Sequence, residues 1–311
     1  MSEHTQYDIR AQAYSSVILP LARQEKSMLY GTVFVKNDFT GKSFYQDQIG
    51  NWSMTAKTTV NADTPENDPN LARTRIDIAT YNDARLMDRS LNLQALADPL
   101  SMASICVQSA VGVQIDKVIY DALGGVAYRG ETGATAVSFP EAQVIAADFG
   151  GAGLNVAKLR RAAKMLDAKG VPAGDRTLVG GAAQKEQLLG TTEATSADYN
   201  SVRALVSGDI DTFLGFKFKW LPDGIITKDG DNAQCYAYHK TGVCFGMLEE
   251  LFLRIDERKD KSYSKQVYYE ISCGAGRLEE NKVVKISTYL RKWWPNIVFL
   301  RGTDQEYINQ I

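Results

Sequence analysis

The sequence predicts an α+β protein with two lobes and one extended limb. Three observations carry this. Residues 52–60 and 73–78 alternate apolar and polar side chains around a turn-rich interval. One apolar stripe at helical spacing runs from Leu100 to Ala122. From Cys235 onward the pattern is mostly that of strands.

Residues 1–40 mix single aromatics (Tyr7, Tyr14, Tyr30, Phe34) with short apolar runs such as Val17 to Leu21, and no period holds; such a segment reads as an arm that lies on other surfaces. The limb comes next. Trp52, Met54, Ala56, Thr58 and Val60 would share one side of a strand, opposite Ser53, Thr55, Lys57 and Thr59. A second run sets Arg73, Arg75 and Asp77 against Thr74, Ile76 and Ile78. Between them, residues 61–70 carry Pro65, Pro69 and three acids, a composition that cannot continue a strand. The expectation is a long hairpin, which alone cannot cover its apolar side and needs a neighbour, such as another copy of the chain.

Asp98 and Pro99 open the strongest helix signal. Leu100, Ala103, Val107, Val111, Ile115, Val118 and Ala122 recur at three- and four-residue steps, and Gly124-Gly125 stop them. Glycine and alanine then become frequent between residues 124 and 155, as loops entering a second lobe would require. Asn155 caps a helix through Val156, Leu159, Ala163 and Leu166, ended by Gly170 and Pro172. A strand at 176–180, a short helix at 182–189 and a helix stopped by Gly208 follow. The next strand has Phe216, Phe218 and Trp220 facing one way and Lys217 and Lys219 the other. Alternation at 251–256, 267–271 and 283–286 predicts strands that return to pack on the long helix, making the first lobe discontinuous in sequence.

The 311 residues suffice for a large core without disulfides or metals. Lys plus Arg number 35 against 37 Asp plus Glu, and a near-neutral chain lacks the cationic excess that tight nucleic-acid binding needs. Near-neutrality also keeps repulsion between identical copies small. The four cysteines, 106, 235, 244 and 273, form no CxxC pair and read as buried free thiols of a reducing cytosol. The polar start MSEHTQYDIR has no secretory core, and no apolar stretch reaches the roughly 20 residues of a membrane span.

No pattern carries catalysis, a cofactor or a metal. Gly41-Lys42-Ser43 lacks the earlier glycine of a phosphate loop, since position 36 is Lys. Gly274-Ala275-Gly276 lacks the third glycine of a dinucleotide fingerprint and reads as a turn at a strand end. His239 reads as a satisfied structural histidine, and only His4 accompanies it. Asp63, Glu66 and Asp68 do not follow the calcium hand-loop order and read as solvated loop acids. Trp293-Trp294 reads as aromatic surface buried in a core or an interface. The limb would be acidic at its tip and basic at its base, through Lys57, Arg73 and Arg75. Contact between copies is therefore expected at Trp52, Met54, Lys57, Asp63, Glu66, Asp68, Arg73 and Arg75.

Four segments, in this order, resemble the major capsid proteins of tailed bacteriophages, which have the Hong Kong 97-type fold. They are RIDIATYNDARLMDRSLNLQALADPLS (75–101) and QIDKVIYDALGGVAYRG (114–130); a run from Thr177 through Gln187-Leu188-Leu189, Ser196 to Tyr199 and Gly208-Asp209-Ile210 to Leu214-Gly215-Phe216; and GAGRLEENKVVKI (274–286). The resemblance covers about residues 40–287. It implies an N-terminal arm (1–43), an E-loop hairpin (44–80), and a peripheral domain in two parts (81–150, with its spine helix at 99–123, and 233–288). An axial domain (151–232) lies between those parts. Residues 289–311 match no part of the pattern. The implied function is self-assembly into hexamers and pentamers that enclose double-stranded DNA in an icosahedral shell. The implied partners are further copies of the chain, a scaffolding protein, a portal and non-specifically bound DNA, without a membrane. The implied place is the virion, after assembly in the host cytoplasm. A nanocompartment shell of the encapsulin type, enclosing an enzyme, uses the same fold and differs in its cargo. A soluble α+β enzyme is the third reading.

Overall fold

The computed structural model describes residues 24–61, 64, 68–87, 103–151, 153–190 and 212–290. Asp63, Glu66, Asp98 to Leu100, the helix expected before Gly208, the first part of the arm and Trp293-Trp294 lie outside these residues.

The hairpin exists, but its first strand is not the one expected. Strand β1 (Phe34–Lys36) precedes β2 (Ser43–Ile49), and β2 pairs antiparallel with β3 (Leu71–Asp77), with Phe44 opposite Ile76 and Asp47 opposite Arg73. Residues 51–58, predicted to be a strand, have no ladder partner and are exposed throughout. The reason is register. Seven consecutive residues of β2 already occupy the pairing edge of β3, and the alternation from Trp52 to Val60 continues past the point where the partner strand ends. In β3, Thr74 and Ile76 point inward and Arg73 outward, as their alternation predicts.

Strand β4 (Ala79–Met87) leaves the hairpin and leads toward helix α1 (Ala103–Gly124), whose 22 residues span about 33 Å. From α1, Ile115, Ile119, Tyr120 and Leu123 are buried, and each such aliphatic side chain contributes roughly 1.5–3 kcal/mol. After α1 come β5 (Ala127–Arg129), β6 (Thr135–Val137) and β7 (Val144–Ile145). The hairpin sheet runs β2-β3-β5-β6.

Helix α2 (Val156–Ala168) starts where Asn155 accepts the Lys158 backbone N–H at 2.8 Å, as the capping signal predicts. Then follow β8 (Arg176–Gly181), α3 (Ala182–Leu189), β9 (Thr212–Phe213), β10 (Phe216–Leu221), β11 (Lys228–Asp229) and β12 (Asn232–His239). They are followed by β13 (Val243–Arg258), β14 (Ser264–Arg277) and β15 (Val283–Tyr289). One sheet runs β1-β13-β14-β4. A larger one runs β7-β15-β12-β8-β10-β9, with β11 on β12. The larger sheet is covered on both faces. Cys235 and Ala237 of β12 join a core with Leu159 and Leu166 of α2, whereas the intervening Tyr236 and Tyr238 join the core that holds Ile119 and Leu123 of α1. The returning strands thus divide: β13 and β14 lie beside α1, whereas β12 and β15 build the sheet of the second lobe.

Candidate assembly surface

Among the described residues, two surfaces group several exposed large apolar side chains. The first is the limb. Beyond β2 and β3, Trp52 is 77% exposed, Met54 fully exposed and Val60 90% exposed; Ile49 and Leu71, the last pair of the ladder, are each about two-thirds exposed. Lys57 and Asp68 are also exposed.

Arg73 and Arg75, however, are engaged within their own subunit. Arg73 forms a two-point ion pair with Asp47 across the hairpin, Nε to Oδ1 at 2.6 Å and a terminal nitrogen to Oδ2 at 3.0 Å, and lies over the Tyr45 ring. Its guanidinium holds the Asp47 carboxyl below the usual carboxylate range. Arg75 pairs with Asp77 at 3.1 Å and lies over Tyr128, 5.1 Å from its centroid. The expected basic base of the limb is largely neutralised where it stands.

The second surface was missed at the sequence level. The β13–β14 ladder slips between Met247 and Glu249 and again between Glu249 and Phe252, an irregularity that bends and twists a ribbon. Within and past it, Leu251, Phe252, Leu253 and Ile255 are all exposed, and so is Tyr263 at the ribbon's turn. Alternation places Leu251, Leu253 and Ile255 on one face, which sequence reasoning assigned to α1. The available signal was Phe252 between two leucines, because a strand apolar on both faces needs cover on both.

The limb is rooted in the body at a patch of glycines. Gly246 and Gly274 face each other across β13 and β14. A Cβ on Gly274 would overlap the Asp77 carbonyl, and one on Gly246 would overlap the Phe44 ring. The hairpin therefore crosses the ribbon at backbone contact, with Phe44, Ile76, Cys244 and Leu278 buried together. Gly274-Ala275-Gly276 is paired strand near the end of β14 and not the expected turn, because this crossing requires backbone without side chains at the two glycines. One residue further on, the buried guanidinium of Arg277 donates to the carbonyls of Leu123 (3.2 Å), Gly125 (2.7 Å) and Val137 (3.2 Å), tying the end of α1 to the hairpin sheet. Glu280 lies 3.8 Å from Arg277 and 2.6 Å from Arg129 of β5, completing the tie.

Three thiols inside the body are held protonated, and the buried His239 is hydrogen-bonded locally. Burial pushes the Cys235 and Cys244 thiols up to about 12 and Cys273 to about 11, so at neutral pH they are protonated. The His239 ring meets the Thr241 hydroxyl at 3.0 Å and accepts the Thr241 N–H at 3.3 Å, and burial lowers its pKa. Among the described residues, no three His, Cys, Asp or Glu side chains are grouped to hold a metal. No described helix is long and apolar enough to cross a membrane.

Residues 7–289 match the sequence model of a family described as phage capsid protein. No curated protein is similar to the chain in sequence. Solved structures with a similar fold include the capsid of the cyanophage P-SCSP1u, with a TM-score of 0.70 at 14% identity, covering 90% of this chain and 93% of that one. The capsid of Ralstonia phage GP4 has a TM-score of 0.70 at 12% identity, covering 95% and 100%. The head of Helicobacter pylori bacteriophage KHP40 has a TM-score of 0.69 at 11% identity, covering 92% and 98%. At such identities the likeness is one of fold, and that fold is the Hong Kong 97 type.

Proposed function

The chain belongs to the phage capsid protein family, and from that premise we propose how its copies hold together. As a major capsid protein it is a structural component of the phage shell, and its place is the virion. In our reading, identical copies form hexamers and pentamers that close into an icosahedral shell around double-stranded DNA, after assembly in the host cytoplasm. Each copy lays its limb, residues 44–80, over the next, burying Trp52, Met54 and Val60. Lys57, Asp63, Glu66 and Asp68 lie around that contact, while Arg73 and Arg75 stiffen the limb from within. Residues 81–150 and 233–288 act as the peripheral domain and 151–232 as the axial domain, with strands β12 and β15 passing into the axial sheet. A scaffolding protein and a portal are the further partners. DNA meets the inner wall without sequence readout, because a formal charge of −2 supplies no cationic excess. Nothing in the fold favours an enzyme cargo.

The observation that carries this reading is the exposed limb. Large apolar side chains that project beyond the β2–β3 ladder are left uncovered by every other described residue, and a second copy would bury them. The test is to express the full chain and view it by negative-stain microscopy beside a variant with Trp52, Met54 and Val60 all changed to Ser. The native chain should form closed particles. The variant should stay as soluble subunits with an unchanged melting temperature. Normal particles from the variant would remove the limb from the contact, and a native chain that remains monomeric at every concentration would remove the shell.

A further inference from the structure

We propose that Ser109, Gly112 and Asp116 of α1 form a cradle that clasps residues 24–29 and fixes the place where that segment lies on the body. The inference rests on the shell reading for its consequence, and on geometry within one subunit for its existence.

The three residues lie at steps of three and four, on one face of the helix. Each does something different. Asp116 is fully buried, yet four donors of the crossing segment converge on its carboxylate. The Ser27 hydroxyl and the Leu29 N–H donate to Oδ1 at 2.6 and 2.9 Å, the Met28 N–H reaches Oδ1 at 3.1 Å and Oδ2 at 3.0 Å, and the Gln24 side-chain amide donates to Oδ2. Gly112 lets the backbone come close, since a Cβ there would stand 2.8 Å from the Ser27 nitrogen and 2.9 Å from the Lys26 carbonyl carbon. Ser109 donates its hydroxyl to the Gln24 carbonyl.

Beyond the clasp the segment stays attached. Leu29 and Val33 are buried in the core beside Ile115 and Ile119, Thr32 and Tyr238 share a hydroxyl hydrogen bond of 2.6 Å, and Phe34–Lys36 then pairs with β13. A buried carboxylate satisfied only through another segment's donors gives that segment one position. For the core alone, an apolar side chain at 116 would serve as well. The polar cradle specifies where the strap lies, and so where Gln24, its first residue, stands. Asp116 is thus a positioning residue for assembly.

The test is hydrogen exchange on the dissociated full-length subunit, with microscopy of the assembled protein, for Asp116→Asn and Gly112→Ala. Asparagine keeps the shape but turns an amide group toward N–H donors. Alanine at 112 keeps the carboxylate and presses on the strap by volume alone, so it serves if Asp116→Asn does not fold. Charge-assisted hydrogen bonds contribute enough that exchange of residues 24–33 should accelerate about tenfold or more, while residues 107–123 keep the native rate. Particles should become irregular or fail to close. If the strap and the helix accelerate together, or if the strap is released and the shells stay normal, the proposal is overturned. A native chain that shows the protected strap but forms no shell would instead count against the shell reading.

Discussion

Arg73 and Arg75 show that a charge which reads as spare in a sequence can already have a partner in its own subunit. Both read as spare positive charge, and both are consumed by partners in their own hairpin sheet. Arg73→Glu would set a carboxylate against Asp47 across the ladder, where like charges repel. The expected outcome is a lower yield of closed particles, restored when Asp47→Arg is added to rebuild the pair in reverse. If the exchanged pair does not restore assembly, as counted by microscopy, Arg73 acts between subunits. Lys158 is the opposite case, a helix lysine that is fully buried. Its ammonium donates to the carbonyls of Ala147 (2.8 Å), Gly153 (2.9 Å) and Ser287 (3.2 Å), joining α2 to β15, and burial pushes its pKa down to about 8. An unfolded lysine stays protonated to about 10.4. Between those values the unfolded chain binds more protons, so this linkage makes stability rise with pH from about 8 to 10.4 and leaves it flat below 8. The difference in urea unfolding free energy between the native chain and Lys158→Met should therefore widen by on the order of 2 kcal/mol between pH 8 and 10. An unchanged difference would show that the carbonyls hold the charged form fully.

At the scale of elements, the hairpin's direction depends on its crossing with the ribbon. Gly274→Val would drive a branched side chain into the Asp77 carbonyl and Ile78. Overpacking of this kind costs roughly 1–3 kcal/mol. The urea midpoint should fall accordingly, while Gly224→Ala, which meets open space, should leave it unchanged. Equal midpoints for the two would mean that the hairpin root shifts freely. The elements also differ in how openly the sequence announced them. Helices α2 and α3 match their predicted bounds closely, because Asn155, Gly170 and the 3.6-residue period act locally. Strand β2 was not recognised. SFYQDQI alternates weakly, whereas the stronger alternation from Trp52 to Val60 has no partner strand. Period two shows which residues could share a face, but pairing depends on what the opposite strand offers.

For the whole molecule, assembly is built from distant pieces. The sheet beside α1 joins residues 34–36, 79–87, 243–258 and 264–277, and Arg277 closes the set by holding the end of α1. Such a body positions two exposed apolar surfaces, the limb and the far part of the β13–β14 ribbon, without burying either. The ribbon escaped sequence reasoning because Leu251 to Ile255 has the composition of a core strand. Its exposure follows from the slipped ladder, which no local pattern reveals.

By itself, the sequence determined what local physics can specify. The α+β class, the long helix, the capped α2 and the family likeness all come from periodicity, caps and ordered motifs within short windows. Only the tertiary structure decided which strands pair, that Arg73 and Arg75 are spent inside the subunit, that the glycines of β14 carry a crossing in place of a turn, and that Asp116 clasps residues nearly ninety positions away. Those outcomes depend on contacts between segments far apart in the chain, and a contact of that kind leaves no periodic trace in either segment alone.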